Sequence, residues 1–394
     1  MSNVKDIVSD YNLTSINTQE LGSHLRATID FGGNAFVLGR RGSSKTFQAK
    51  QAIKDMGCHE VYINASTIER TDVGGFPRMF DVKDQAYVDY MLPRYFRPLI
   101  EGGDDGKKCV ALFDEIDKVD PSILAPLLEF TQFHTMNGRA LKNLSACIFT
   151  GNHAAEGGQR PALPLLDRAE KYLLTITPAH WLEWASSREA YIHPSITAFI
   201  QDNQDMLFGA VDCGEDYADP SPRGWHNASL ILNFGEKKGW NANLLTTKIA
   251  GCVGKKAGIK YSAYFDHYQV LLPIVKQIFE GKNLRVSEWN ALEPAKQMVT
   301  TMIVCSRLAR MLDEKKDEQN KLRAESPGKD FKRQQSPAVD IIGTFLQERV
   351  DMEMSLISIR SQIGIERYME NELNKNAFFD GILTTIRKRS SGQG

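Results

Sequence analysis

The segment Gly39-Arg-Arg-Gly42-Ser-Ser-Lys45-Thr46 constrains this chain more than any other stretch. The apolar run Ala35-Phe-Val-Leu38 precedes it and the helical pattern Phe47-Gln-Ala-Lys-Gln-Ala-Ile53 follows it. A glycine-rich loop in that setting carries the chain from a strand into a helix. Its backbone N–H groups and the helix N-terminus then surround an anion. Lys45 adds a positive charge beside the phosphates, and the Thr46 hydroxyl suits Mg²⁺. Gly39, Gly42, Ser43, Ser44, Lys45 and Thr46 are therefore candidate nucleotide-binding residues. Ser44 stands where the pattern has its last glycine, and a side chain fits there if its φ is negative. An ordinary Gly/Ser turn is the competing reading of the segment taken alone.

Four further runs look like strands: Val61-Tyr-Ile63, Val110-Ala-Leu-Phe113, Cys147-Ile-Phe-Thr150 and Tyr172-Leu-Leu-Thr-Ile176. They are continuously apolar rather than alternating, so both faces of each strand are covered. With helical patterns between them, the expectation is an α/β domain over residues 1–185 with a five-stranded parallel sheet. Ligands gather at the carboxyl ends of such strands.

Polar residues stand at those ends. Asp114 and Glu115 close the third run, sixty-nine residues after Lys45. Adjacent strand residues point to opposite faces, so the two carboxylates can divide the work. Asp114 would hold Mg²⁺ through water, and Glu115 would orient and activate an attacking water. A helix N-cap is the alternative for Asp114. Asn152 closes the next run, and its amide can bond the attacking water or a γ-phosphate. Gly151-Asn152 is also a common turn dipeptide.

From residue 186 onward strand signals fade. Leu230, Leu232, Leu244, Leu245 and Ile249 fit one helical region, then Tyr264, Tyr268, Leu271 and Leu272 another. An all-α domain over 186–282 is expected, with a helical accessory region over 283–394. Within the latter, Met298, Met302, Cys305, Leu308 and Leu312 keep helical spacing, as do Ile342, Phe345, Leu346, Val350, Met354 and Ile357. Core packing explains both stripes. The polar stretch near 313–338 reads as a solvated helix end and a linker.

Composition narrows the function classes. A net charge of −1 provides no global field toward nucleic acid or anionic lipid. The six cysteines show no metal-ligand or redox spacing, which fits a reducing cytoplasmic setting. No run of about 18 apolar residues marks a membrane span, and MSNVKDIVSDYNLTS lacks the apolar stretch of a signal peptide.

Taken in order, these motifs resemble the AAA+ ATPases, and more closely the MoxR-like branch near the chelatase AAA+ subunits. Leu163-Pro-Leu-Leu-Asp167-Arg168 is similar to that branch's element after the sensor asparagine, with Ala169 in place of the usual aromatic. Ser221-Pro-Arg223 resembles its sensor-2 motif at the start of a lid helix, and Ile249-Ala-Gly251-Cys-Val-Gly254-Lys-Lys-Ala the lid segment that follows. The resemblance covers residues 20–280. It implies ATP and Mg²⁺ as cofactors and a homo-oligomeric ring, usually a hexamer, with nucleotide at each subunit interface. Arg168 would be the finger reaching the neighbour's γ-phosphate, with Arg160 its rival, and Arg223 would contact the same phosphate from its own subunit's lid. An arginine suits both tasks because its charge is permanent and its fork matches phosphate oxygens; a structural ion pair is the alternative for either. Asn64 matches the position of a polar switch acting on the catalytic glutamate. Thr71–Phe80 matches an insert facing the ring pore, where Phe76 and Phe80 would grip a client, unless they simply pack.

The leading expectation is ATP hydrolysis (an enzyme acting on phosphoanhydride bonds) used to remodel or assemble a protein partner, such as a von Willebrand A-domain protein. The alternatives are an AAA+ motor on DNA or RNA, disfavoured by the near-neutral charge, and a slow nucleotide-dependent scaffold, disfavoured by Glu115.

Overall fold

The computed structural model describes residues 13–82, 85–103, 106–152, 163–185, 190, 192–209, 220–282, 285–325, 336–362, 373 and 376–390. The chain divides into two compact units between Ile176 and Thr177.

In the first unit β1 (Thr14–Ile16) and α1 (Thr18–Phe31) lead into β2 (Asn34–Gly39), the glycine-rich loop and α2 (Lys45–Asp55). Next come β3 (His59–Asn64), α3 (Arg70–Gly74) and an antiparallel hairpin of β4 (Phe76–Val82) and β5 (Gln85–Met91). After α4 (Arg97–Glu101) follow β6 (Cys109–Asp114), α5 (Leu124–Phe133) and a small hairpin of β7 (Thr135–Met136) and β8 (Arg139–Ala140). β9 (Leu144–Gly151), α6 (Leu163–Leu166) and β10 (Glu170–Leu174) complete the unit.

Six of these strands form one parallel sheet in the order β1-β10-β2-β9-β6-β3, with helices on both faces. All five expected strands are in it. The sixth, β1, corrects the expected count of five; it pairs three residues, Thr14–Ile16, with Tyr172–Leu174. A strand that short has no period to read.

Continuous apolar runs are explained by two cores, one on each face. Phe36, Ala111, Phe113, Cys147 and Phe149 face Leu127 and Phe130 of α5. Ala35, Val37, Val110, Leu112 and Ile148 face Leu21, Leu25 and Ile29 of α1 and Ala49, Ala52 and Ile53 of α2. Phe113 stacks on Phe149 at 5.1 Å and meets Phe130 edge-on at 5.5 Å. Each fully buried phenylalanine contributes about 1.5–3 kcal/mol, so the strand ends they anchor are rigid platforms.

The second unit is helical: α7 (Pro178–Ala185), α8 (Pro194–Asp202), α9 (Pro222–Lys238), α10 (Ala242–Val253), α11 (Lys255–Phe279), α12 (Val286–Asn290), α13 (Pro294–Glu325), α14 (Pro337–Arg349), α15 (Met352–Gln362) and α16 (Ala377–Ser390). The helical region expected around Leu230–Ile249 is two helices, separated where Gly239 adopts φ 69° and Asn241 caps α10. The stripe Ile342–Ile357 likewise spans two helices, because Asp351 accepts from the Glu353 N–H at 2.8 Å and starts a new one. The stretch after Asp313 is helical as far as Glu325; the expected linker beyond it lies outside the described residues.

A buried polar string ties four helices together. Arg310 of α13 donates to Asn233 at 3.2 Å, and Asn233 donates to Ser229 of α9. Ser229 Oγ accepts from the His193 N–H at 2.8 Å, His193 meets Ser195 at 2.7 Å, and Ser195 meets Tyr261 of α11 at 2.5 Å. Through it, α13 of the expected accessory region packs with the expected lid helices.

Among the described residues no helix is long and apolar enough to cross a membrane, and no group of His, Cys, Asp and Glu could hold a metal ion by itself. Burial pushes the Cys147 thiol well up and the Cys305 thiol to about 12, so both are inert core groups.

Candidate functional site

Because β9 lies between β2 and β6, the sheet order brings three chain segments to one edge: the glycine-rich loop, Asp114 and Asn152. Lys45 is almost wholly buried, and its ammonium donates to the carbonyls of Gly39 (2.8 Å) and Arg40 (2.9 Å) and to Asn152 Oδ1 (3.1 Å). The cation is thus held inside the loop, bonded to the next strand's polar end. Glycine suits position 39, since a Cβ there would press to 3.0 Å from the Leu174 carbonyl and 3.2 Å from Ser43 Oγ.

Thr46 is the second residue of α2, and its hydroxyl donates to Asp114 Oδ1 at 3.0 Å. Thr150 donates to the same oxygen at 2.6 Å and the Glu115 N–H at 3.1 Å, while the Tyr62 hydroxyl donates to Asp114 Oδ2 at 3.1 Å. Four donors therefore converge on one carboxylate. Partial burial, the Asp114 charge and the hydrogen bond to Asp114 push the Tyr62 phenol up to about 12, so it remains a donor at neutral pH.

Two expectations about backbone are corrected. Ser44 has φ 65°, not a negative value, and its hydroxyl donates to the Ser43 carbonyl at 2.5 Å. The loop keeps the left-handed turn that glycine normally supplies, at a cost of about 1–2 kcal/mol. Glu115 also has positive φ, 56°, so a left-handed turn rather than strand alternation directs its side chain. Its carboxylate pairs with Lys118 at 3.1 Å across one tight turn.

Tyr62, Thr150 and Asp117 join the site without having been singled out in the sequence. Asp117 is buried, and its Oδ1 accepts the Asn152 N–H at 2.9 Å. Gly151 leaves room for it, since a Cβ there would approach that oxygen to 2.9 Å. Its position two residues after Glu115 was the available signal; for Tyr62 and Thr150, embedded in apolar runs, there was none.

The remaining predicted residues are spread more widely. Asn64 pairs in register with Asp114, but its amide oxygen accepts from the N–H and hydroxyl of Ser66 at 3.0 and 2.7 Å. Arg168 follows α6 on the surface, where its guanidinium donates to Gln132 Oε1 at 2.8 and 3.0 Å and to the Pro164 carbonyl at 2.7 Å. Arg160 lies outside the described residues. In the helical unit Arg223 is exposed on the first turn of α9, which Ser221 caps through the Gly224 N–H at 3.1 Å. Phe76 and Phe80 lie exposed on β4, with Met79 between them. Arg139 and Asp89 pair at 2.5 Å, tying the two hairpins together.

The donor set fits Mg²⁺, which prefers hard oxygens: a hydroxyl and a carboxylate already adjacent, beside a loop shaped for phosphate. Thr46 and Asp114 would hold it.

No protein-family model matches the chain, and no curated protein does. Among solved structures, a candidate ATPase from Cytophaga hutchinsonii aligns at 18% identity and TM-score 0.28, over 44% of this chain and 51% of that one. The chain thus spans about half the length of that protein. A RuvB variant from Thermotoga maritima aligns at 12% identity and TM-score 0.39, over 68% and 78% of the two chains. NtrX from Brucella abortus aligns at 15% and 0.31, over 66% and 71%. Likeness this low carries no argument about activity; the strand order and the bonds of the site do.

Proposed function

We propose that this chain is an AAA+ ATPase of MoxR-like type, hydrolysing ATP with Mg²⁺ at the subunit interfaces of a homo-oligomeric ring, a hexamer in our reading. The observation that supports it best is the convergence of Lys45, Thr46, Asp114 and Asn152 at one sheet edge, each bonded to another of the set. Phosphoryl transfer needs positioned charge more than covalent help. Lys45 would exchange its carbonyl partners for β- and γ-phosphate oxygens, and the loop N–H groups would surround them. Thr46 and Asp114 would hold Mg²⁺, which would supply positive charge to the phosphates. Glu115 would leave Lys118 to hold the attacking water, and Asn152 would bond that water or the γ-phosphate from its far side.

Arg168 is assigned to the neighbour's γ-phosphate and Arg223 to the phosphate of its own subunit; both roles rest on the family resemblance. Arg168 is half-buried, and its two uncharged partners, Gln132 and the Pro164 carbonyl, agree with a group able to exchange them for phosphate oxygens. Remodelling of a protein client, for which a von Willebrand A-domain protein is our candidate, completes the reading.

Glu115→Gln tests it. Turnover should fall by about 10²–10⁴-fold while ATP binding persists, measured by phosphate release and by a fluorescent nucleotide. Unchanged turnover removes Glu115 from the chemistry. Stimulation of the wild type by DNA or RNA would instead favour a nucleic-acid motor.

A further inference from the structure

Asp114 is the acidic end of the site, and its two oxygens are not equivalent. Oδ1 takes three donors, from Thr46, Thr150 and the Glu115 N–H, whereas Oδ2 takes one, from Tyr62. A carboxylate oxygen offers two lone pairs. Oδ1 is therefore fully used, and the remaining acceptor of this carboxylate is the second lone pair of Oδ2. A cation that keeps its water shell is reached through such an acceptor.

The sheet register explains why a tyrosine stands here. Tyr62 pairs with Leu112, so Asp114 lies one same-face step along the neighbouring strand. Diagonal neighbours in a sheet lie about 7–8 Å apart, within reach of long aromatic side chains. A serine or threonine is too short to span this diagonal, and a phenylalanine has nothing to donate. The ring itself is held: Lys50 Nζ stands 4.2 Å from its centroid and pairs with Glu60 at 2.9 Å. β3 is an edge strand, so Tyr62 is partly exposed and its phenol reaches the carboxylate from the open side of the sheet.

We propose that Tyr62 is a positioning residue for the metal: its hydroxyl orients Asp114 Oδ2 so that the free lone pair receives metal-bound water. This inference rests on the ATP-and-magnesium reading above. Tyr62 touches neither nucleotide nor metal in it; it acts through Asp114.

The test uses Mn²⁺ as a paramagnetic stand-in and ADP as the nucleotide, with the full chain. Mn²⁺ binding is titrated by electron paramagnetic resonance, and ADP binding is measured separately in excess chelator. Tyr62→Phe should weaken Mn²⁺ binding about tenfold, the scale of one hydrogen bond to a charged acceptor, and leave metal-free ADP binding within about twofold. Lys50→Ala, which loosens the ring and leaves Asp114 intact, should shift Mn²⁺ affinity the same way by less; it also serves if Tyr62→Phe does not fold. Unchanged Mn²⁺ affinity in the folded Tyr62→Phe protein, or in Lys50→Ala where that variant must serve, overturns the inference alone. If the wild type shows no saturable Mn²⁺ with ADP, and Thr46→Ala changes nothing, the ATP-and-magnesium reading itself fails.

Discussion

Ser44 gives the sharpest test at the scale of single residues. Its φ of 65° places an L-residue where glycine is at ease, beside a neighbour, Gly42, at φ 71°. Ser44→Gly should relieve about 1 kcal/mol of backbone strain, offset in part by glycine's greater unfolded freedom. A net gain below about 1 kcal/mol in thermal or denaturant unfolding is expected, with nucleotide affinity equal or higher. A clear loss of stability would mean that the hydroxyl's bond to the Ser43 carbonyl outweighs the strain. Motif residues such as Lys45 and Asp114 were legible because their chemistry is written in type and spacing. Tyr62 was not, because its partner is set by strand register, and register is a property of two distant segments. Asp117 was half-legible: its type and offset from Glu115 were visible, but not the Asn152 amide that it holds.

At the scale of elements, all five expected strands were visible as apolar runs. β2, β6 and β9, covered on both faces, leave no alternation to misread, whereas the edge strand β3 exposes Tyr62. Helix ends were harder. Gly239, Asn241 and Asp351 act locally, and each interrupts an apolar stripe that continues across the break. Of the two hairpins only part of β4 fell within the expected insert Thr71–Phe80, and β7–β8, two residues a strand, left no period to read. The turn between α10 and α11 makes an element-level prediction. A Cβ on Gly258 would fall 2.4 Å from the Ala250 Cβ and 2.6 Å from its Cα. Gly258→Ala should therefore push these helices apart and cost about 1–3 kcal/mol, read as a lower denaturant midpoint. An unchanged midpoint would mean that the helices slide at no cost.

Assembly can be tested only on the whole molecule. If Arg168 acts on a neighbour's nucleotide, then Arg168→Ala subunits and Lys45→Ala subunits are each inactive but complement when mixed. At equal proportions one interface in about four would pair an intact loop with an intact finger, and phosphate release should recover accordingly. No recovery at any ratio would return the role to Arg160 or to an action within one chain. The identity of the proposed client stayed illegible for a physical reason: specificity belongs to surfaces, and surface residues carry little periodic signal. The helical unit, built on the string from Arg310 to Tyr261, has no motif comparable to the loop.

The β4–β5 hairpin bears on how the protein must be handled. Phe76, Met79, Val88 and Met91 each leave about half or more of their surface in water, on a strand pair outside the main sheet. Apolar prongs of this kind drive self-adhesion when nothing covers them. Solubility should therefore fall as protein concentration rises, read as turbidity against concentration, and an unchanged profile in Phe76→Ser/Met79→Ser would clear the hairpin. Mild detergent or an added partner would then act as a chaperone in the tube, well before any activity is measured.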